Sequence, residues 1–178
     1  MTASTWKVDP IHTSAEFEVQ HMHISTYRSR FTAVSGTVVL DDENPSASAI
    51  ETQIDVRSLA IPGGRFQEVL MGPDFFQAEE HPHMVFKSTK VERTDATHWR
   101  AEGALTIRGI AKPFALDIEA AGEANQPFNR VPMRAFRATG TLNRGDYGIT
   151  WQASLDTGAA YLGEKITVTL LVELLAAA

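Results

Sequence analysis

Six histidines in a 178-residue chain without cysteine are the first place to look for chemistry. His21 and His23 stand two apart, as do His81 and His83, and residues at i and i+2 of a strand share a face. Imidazoles paired in that way suit a transition metal, but such a site also needs a nearby carboxylate. Ile24-Ser25-Thr26-Tyr27 follows the first pair and supplies none, while His81-Pro82-His83 beside Glu79 and Glu80 has the composition of a polar turn. Asp9 and His12 are spaced for a local hydrogen-bonded turn. The serines lack a Gly-x-Ser-x-Gly elbow, and Pro62-Gly63-Gly64-Arg65 lacks the Lys-Ser/Thr ending of a phosphate-cradling loop. With no thiol available, these residues predict no catalytic group, no metal and no cofactor, and the protein is not expected to be an enzyme.

The charge balance excludes a further class. Acidic residues number 22 against 16 basic ones, a net charge of -6, and Arg108, Arg134, Arg137 and Arg144 form no basic stripe with interleaved aromatics. Nucleic acid is therefore not an expected partner. No apolar run is long enough for a transmembrane segment. The first seven residues lack a cationic stretch followed by an apolar one, which predicts a cytoplasmic protein, or a periplasmic or secreted one if the chain is a processed mature form.

Those side chains must be held by something, and the pattern around them is strand-like. Ala15, Phe17 and Val19 alternate with Glu16, Glu18 and Gln20. Val34, Gly36, Val38 and Leu40 share a face, as do Ile50, Thr52, Ile54 and Val56. The same period of two runs through Met84, Phe86 and Ser88, then Trp99, Ala101, Gly103, Leu105 and Ile107. It continues through Phe114, Leu116 and Ile118, through Phe136, Ala138 and Leu142, and through Ile166, Val168, Leu170 and Val172. Period-two alternation marks strands with one apolar and one wet face. These are eight main strands, preceded by a short opening run at Trp6 to Val8, and Arg28-Ser29-Arg30 reads only as a polar stretch. Residues 62–83 break the pattern, with a short helix over 65–71, a helical turn at Pro73-Asp74-Phe75-Phe76 and exposed-looking aromatics that suit a lid or plug or, equally, a packed cap on an open barrel end. The expectation is all-β: an eight-stranded antiparallel barrel, one domain over residues 1–178, with a helical insertion around residues 64–76.

Read together, the motifs resemble the YceI-like family. The resemblance rests on Asp9-x-x-His12-Thr13, Phe17-x-Val19-x-His21-Met22, Ile54-Asp55-x-x-Ser58-Leu59, Asp74-Phe75-Phe76 and His81-Pro82-x-Met84-x-Phe86-x-Ser88. Gly103-x-Leu105-Thr106-Ile107-Arg108-Gly109 with Pro113, and Asn143-Arg144-x-x-x-Gly148, complete an ordered set from Trp6 to the last strand. The chain departs from that pattern twice. Phe66-Gln67-Glu68-Val69-Leu70 stands where the family usually has Arg-Asp-x-His-Leu, and Ser29 stands at a usual glycine. The resemblance implies a lipocalin-like barrel whose elongated apolar cavity binds a long-chain isoprenoid lipid or similar amphiphile for storage or transport, and a possible homodimer. The expected lining is Phe17, Val19, Val38, Ile54, Met84, Phe86, Leu105, Ile107, Phe114, Leu116, Phe136 and Leu170, with Phe75 and Phe76 at the mouth. Two other readings stay open: a metal-dependent barrel enzyme using His12, His21 and His23, and a packed barrel acting as an interaction module.

Overall fold

Alternating apolar residues build an antiparallel sheet that closes on itself. A computed structural model describes residues 3–61 and 64–177. The reading of Pro62 and Gly63 as the start of the insertion lies outside the described residues. Ten strand segments follow in order: β1 (Ser4–Val8), β2 (Ser14–His21), β3 (Ser25–Phe31), β4 (Val34–Leu40), β5 (Ala49–Asp55), β6 (His83–Arg93), β7 (His98–Ile107), β8 (Ile110–Asn125), β9 (Pro132–Asn143) and β10 (Leu162–Ala176). The helix α1 (Arg65–Met71) lies between β5 and β6.

Ten segments make eight staves. β2 pairs along the first part of β10, with His21 opposite Leu162, and β1 pairs with its end, with Trp6 opposite Ala176. β4 lies beside β1 and β3 beside β2, with Val38 opposite Trp6 and Ser29 opposite Phe17. So β1 with β2, and β3 with β4, are two bent staves, and the remaining six strands close the barrel in sequence order. The bend between β1 and β2 keeps its ladder through a side chain: the Thr13 hydroxyl accepts from the Glu173 amide at 3.1 Å, and the Asp9 amide donates to the Glu173 carbonyl at 2.8 Å.

β3 is a strand where the sequence reading saw only a polar stretch. Its inward positions are Tyr27, Ser29 and a buried Phe31, while Arg28 points outward and pairs with Glu18 at 2.8 Å. A serine between two aromatics hides the period, and pairing with β2 supplies what local pattern does not. Residues 58–60 cover part of its outer edge, through a Phe31–Leu59 bridge and an Ala60 amide bonded to the Arg30 carbonyl at 2.8 Å.

Two glycines permit close approaches on the inner face. A Cβ on Gly103 would lie 2.2 Å from the Lys87 carbonyl oxygen, beside the bulge at Ser88 and Lys90. One on Gly140 would lie 2.6 Å from the Phe114 ring, so the glycine makes room for that side chain. Arg108 and Gly109, both at positive φ, turn β7 into β8 with Ile107 opposite Ile110. Pro113 lies within β8 rather than at its start, opposite Ala104, where β8 has not yet begun to pair with β9. Residues 56–82 leave the barrel wall at Asp55 and return at His83, closed at the neck by a Val56 amide to the Pro82 carbonyl, 2.9 Å. α1 has the bounds the sequence predicts, and it buries Leu70 while leaving Phe66 and Val69 half-exposed. No helix among the described residues is long and apolar enough to cross a membrane.

Candidate functional site

The inward faces enclose a cavity of about 990 Å³. That volume stands at the upper end of the range for small-molecule sites, about 300–1,000 Å³. All fourteen residues expected at the lining or mouth border it: Phe17, Val19, Val38, Ile54, Phe75, Phe76, Met84, Phe86, Leu105, Ile107, Phe114, Leu116, Phe136 and Leu170. Twelve come from eight strands, where alternation turns them to one side, and Phe75 and Phe76 come from the insertion.

The two ends of the cavity differ. At one, the insertion and the loop after β9 form a cap. Phe75 packs against Trp151, with ring centroids 5.5 Å apart, and Phe76 meets Phe31 edge-on at 5.6 Å. The expected mouth pair is therefore packed beneath the cap. The half-exposed lining residues here are Phe66 and Val69, 47% and 45% accessible, with Phe66 edge-on to Tyr27 of β3 at 6.3 Å. Phe66 and Val69 stand at the sequence's departure from the family pattern, so that departure places apolar, half-exposed side chains on the lining.

Two arginines fasten the cap. Arg144 is buried at 5% exposure and donates Nε–H to the Gly163 carbonyl and Nη1–H to those of Ile149 and Trp151, each at 2.8 Å. Its Nη2 reaches the Leu162 carbonyl at 3.3 Å. Burial holds this guanidinium below its ordinary range. Arg108 donates to the carbonyls of Gly148 and Pro73 and to Gln77 Oε1, tying the insertion to the loop after β9. Tyr147, 2% exposed and also on the lining, has its hydroxyl pushed up by burial, with Asp146 adding to the shift.

At the opposite end, Asp42 reaches across from the β4–β5 loop and takes Arg134 in a two-pronged bond of 3.0 and 2.8 Å. Glu123 lies 3.3 Å from the same guanidinium, which sits over the Trp6 ring at 5.1 Å. The Arg134 bond holds the Asp42 carboxyl below its ordinary value.

The histidines do not converge. β2 ends at His21, and His23 is in the following turn at positive φ, so the two share no strand face. His81 is in the loop beside Gly109 and His83 begins β6. His12 precedes the start of β2 and His21 ends it, a strand length of about 23 Å at ~3.3 Å per residue. Asp9 and His12 do form the local turn the sequence predicts: Asp9 Oδ1 accepts from the Ile11 amide at 2.8 Å, and Oδ2 lies 2.9 Å from His12 Nδ1. The Asp9 bond raises the His12 imidazole above its ordinary value. With Glu173 these are the described groups whose ligand atoms fall within metal-binding spacing of one another, 4.8 Å. They stand at the bend in the first stave and not on the cavity lining.

Sequence reasoning missed Arg144, Arg108, Tyr147, Phe66, and the Arg134–Asp42 pair as parts of the site. Arg108 and Arg144 were visible only as letters in motifs, since a buried arginine bonded to carbonyls leaves no mark on periodicity.

Residues 6–174 match a family model described as the YceI-like domain. A UPF0312 protein of Pectobacterium atrosepticum is 30% identical over 139 residues, 78% of this chain and 71% of that protein. Among solved structures, Burkholderia cenocepacia BcnA superposes with a TM-score of 0.80 at 17% identity, over 93% of this chain and 98% of that one. A polyisoprenoid-binding domain from Saccharophagus degradans, implicated in plant cell wall breakdown, superposes at 0.64 with 11% identity, over 99% and 100%.

Proposed function

Because the chain belongs to the YceI-like family, we propose that it binds a polyisoprenoid or similar long-chain lipid inside the barrel and stores or carries it without chemical change. The observation that carries this reading is the apolar cavity of about 990 Å³, lined along its length by side chains from all around the barrel. Each methylene moved from water into such a lining gains about 0.8 kcal/mol, so affinity accumulates along an alkyl or prenyl chain without any specific contact. The structurally similar Saccharophagus domain is described as polyisoprenoid-binding, which supports the same ligand class here. The scattered histidines offer no shared catalytic geometry to compete with that reading. A homodimer is a further part of the proposal, and light scattering on the purified protein tests it.

The main test is native mass spectrometry of freshly purified protein, followed by organic extraction and titration with prenyl lipids. The expected result is a co-purifying long-chain molecule, or saturable uptake of an added one. Repeated preparations that carry no lipid and take up none would overturn the proposal.

A further inference from the structure

We propose that the capped end of the cavity is a head-group site for an amphiphile with an anionic oxygen head, a carboxylate or a phosphate, held by Arg144 and Tyr147. The inference rests on the lipid-binding reading and deepens it by fixing which way the ligand lies.

A guanidinium has five N–H donors, and carbonyl oxygens take four of those on Arg144. One Nη2 N–H is left over. All four partners are neutral, and no carboxylate lies within 4.0 Å of Arg144 among the described residues. The side chain is thus hydrogen-bonded, while the acid acting on it, Glu164, does so from a distance and not by contact. A buried charge without a counter-charge in contact is costly, and an anion brought into contact with it recovers part of that cost.

Tyr147, three residues on in the same helical turn, gives a second and independent sign. It lines the cavity at 2% exposure, and its hydroxyl has no hydrogen-bond partner among the described residues. No fully enclosed side-chain oxygen or nitrogen lacks a partner among those residues, so this hydroxyl opens onto accessible space, and the space Tyr147 lines is the cavity. Tyr161 and His21, in edge-on contact at 4.8 Å, bring two more polar side chains to the same end. The set can donate to an oxygen head, and Arg144 is its cation on the lining; Asp146 and Glu164 act on Tyr147 and Arg144 from positions off the lining.

The lining carboxylates of the far end have the opposite character. Asp41, Asp42 and Glu123 face Arg93 and Arg134 there, an excess of acid. The remaining lining carboxylate, Glu16, belongs with the outward face of β2 beside Glu18 and Arg28. An anionic head placed at the far end would meet repulsion, and a cationic one attraction. The sign of the head-group preference therefore reports the orientation.

The test compares four C20 prenyl probes at neutral pH, each displacing a bound solvatochromic dye: geranylgeranoic acid, geranylgeraniol, geranylgeranylamine and the hydrocarbon without a head. The expected order is acid, then alcohol, then amine, with acid and amine separated by about tenfold or more, the scale of a charge-assisted hydrogen bond. Replacing Arg144 would also loosen the cap, so Tyr147→Phe is the informative variant. It should weaken the acid several-fold and leave the hydrocarbon unchanged. Amine preferred over acid, or acid, alcohol and amine bound equally, would overturn the head-group site while leaving chain binding intact. Tyr147→Phe weakening acid and hydrocarbon alike would give the residue a packing role only and also overturn it. Failure of all four probes to bind would remove the lipid-binding reading and this inference with it.

Discussion

Arg144 and Arg134 stand at opposite ends of one cavity and close it in different ways. Arg134 is met by carboxylates: Asp42 grips it with both oxygens, and Glu123 approaches from the neighbouring strand. Arg144 is met by four main-chain carbonyls, two from the loop it fastens and two from the start of β10. Both arrangements hold distant segments together, yet only the first sets a carboxylate in contact with the charge. The difference follows from burial. Asp42 is half-exposed, so water shares the work of solvating that pair, whereas Arg144 is buried and its donors must be satisfied by the protein. An ion pair seals an end electrostatically, while a carbonyl cage braces an end and leaves a cation beside the lumen.

The comparison is broken most directly at Arg144. Arg144→Leu strands four carbonyl acceptors at once and should destabilise the fold by about 3–5 kcal/mol, read by urea unfolding. A loss below 1 kcal/mol would mean that the cage is not what holds the cap.

Next in size is a change between the two ends. Val38, on β4 opposite Trp6 and Ile50, lines the cavity midway along the wall. A tryptophan forced into a packed core costs roughly 1–3 kcal/mol, but one entering a lumen takes space the ligand would use. Val38→Trp should weaken long-chain binding by about tenfold, the scale of two lost methylenes, with a smaller change in melting temperature. Clear destabilisation with binding untouched would count against a lumen at that level.

Arg134→Gln should cost only about 0.5–1 kcal/mol, because a half-exposed partner already shares its charge with solvent. Added salt should shrink that cost, which it would not do for Arg144. Acid sharpens the contrast further. The folded-state pKa of Asp42 lies below its ordinary 3.8, so its contribution is present above that value and is lost as pH falls through the folded value. Arg134→Gln should flatten this part of the acid-stability profile below about pH 4, and an unchanged profile would detach Asp42 from Arg134 in solution.

The smallest effect is expected at the bend in the first stave, away from both ends. His12 has its folded-state pKa raised above 6.5 by Asp9, so its stabilisation is present below that value and fades as pH rises through the folded one. His12→Gln should remove a slight decline in melting temperature above neutral pH and leave probe binding unchanged. A decline that persists in the variant would exclude His12 as its source.

Much of the wall was legible in the sequence. The run from Ser14 to His21, the β4 and β5 faces and the 65–71 helix all follow from local spacing, and the structure has β2 and α1 at those bounds. β3 was not legible, because Ser29 interrupts its two inward aromatics and only β2 beside it makes the segment a strand. The mouth was not legible either. Phe75 and Phe76 read equally as a gate or as part of a packed cap, and the structure packs them against Trp151 and Phe31 and leaves Phe66 half-exposed.

What the sequence by itself determined is which residues turn inward, since side chains alternate along any strand whatever lies beside it. Only the tertiary structure decided that β1 meets β10 to close the barrel and that two bent staves count as four segments. Closure also set the width of the ring, and with it whether the inward residues meet across the middle or stand around a lumen of about 990 Å³. Alternation is a property of neighbouring residues, whereas closure and volume depend on pairings between the two ends of the chain. The charge on Arg144 belongs to the second kind. Any arginine carries it, but the fold buries this one among carbonyls, with no carboxylate in contact, at one end of the cavity.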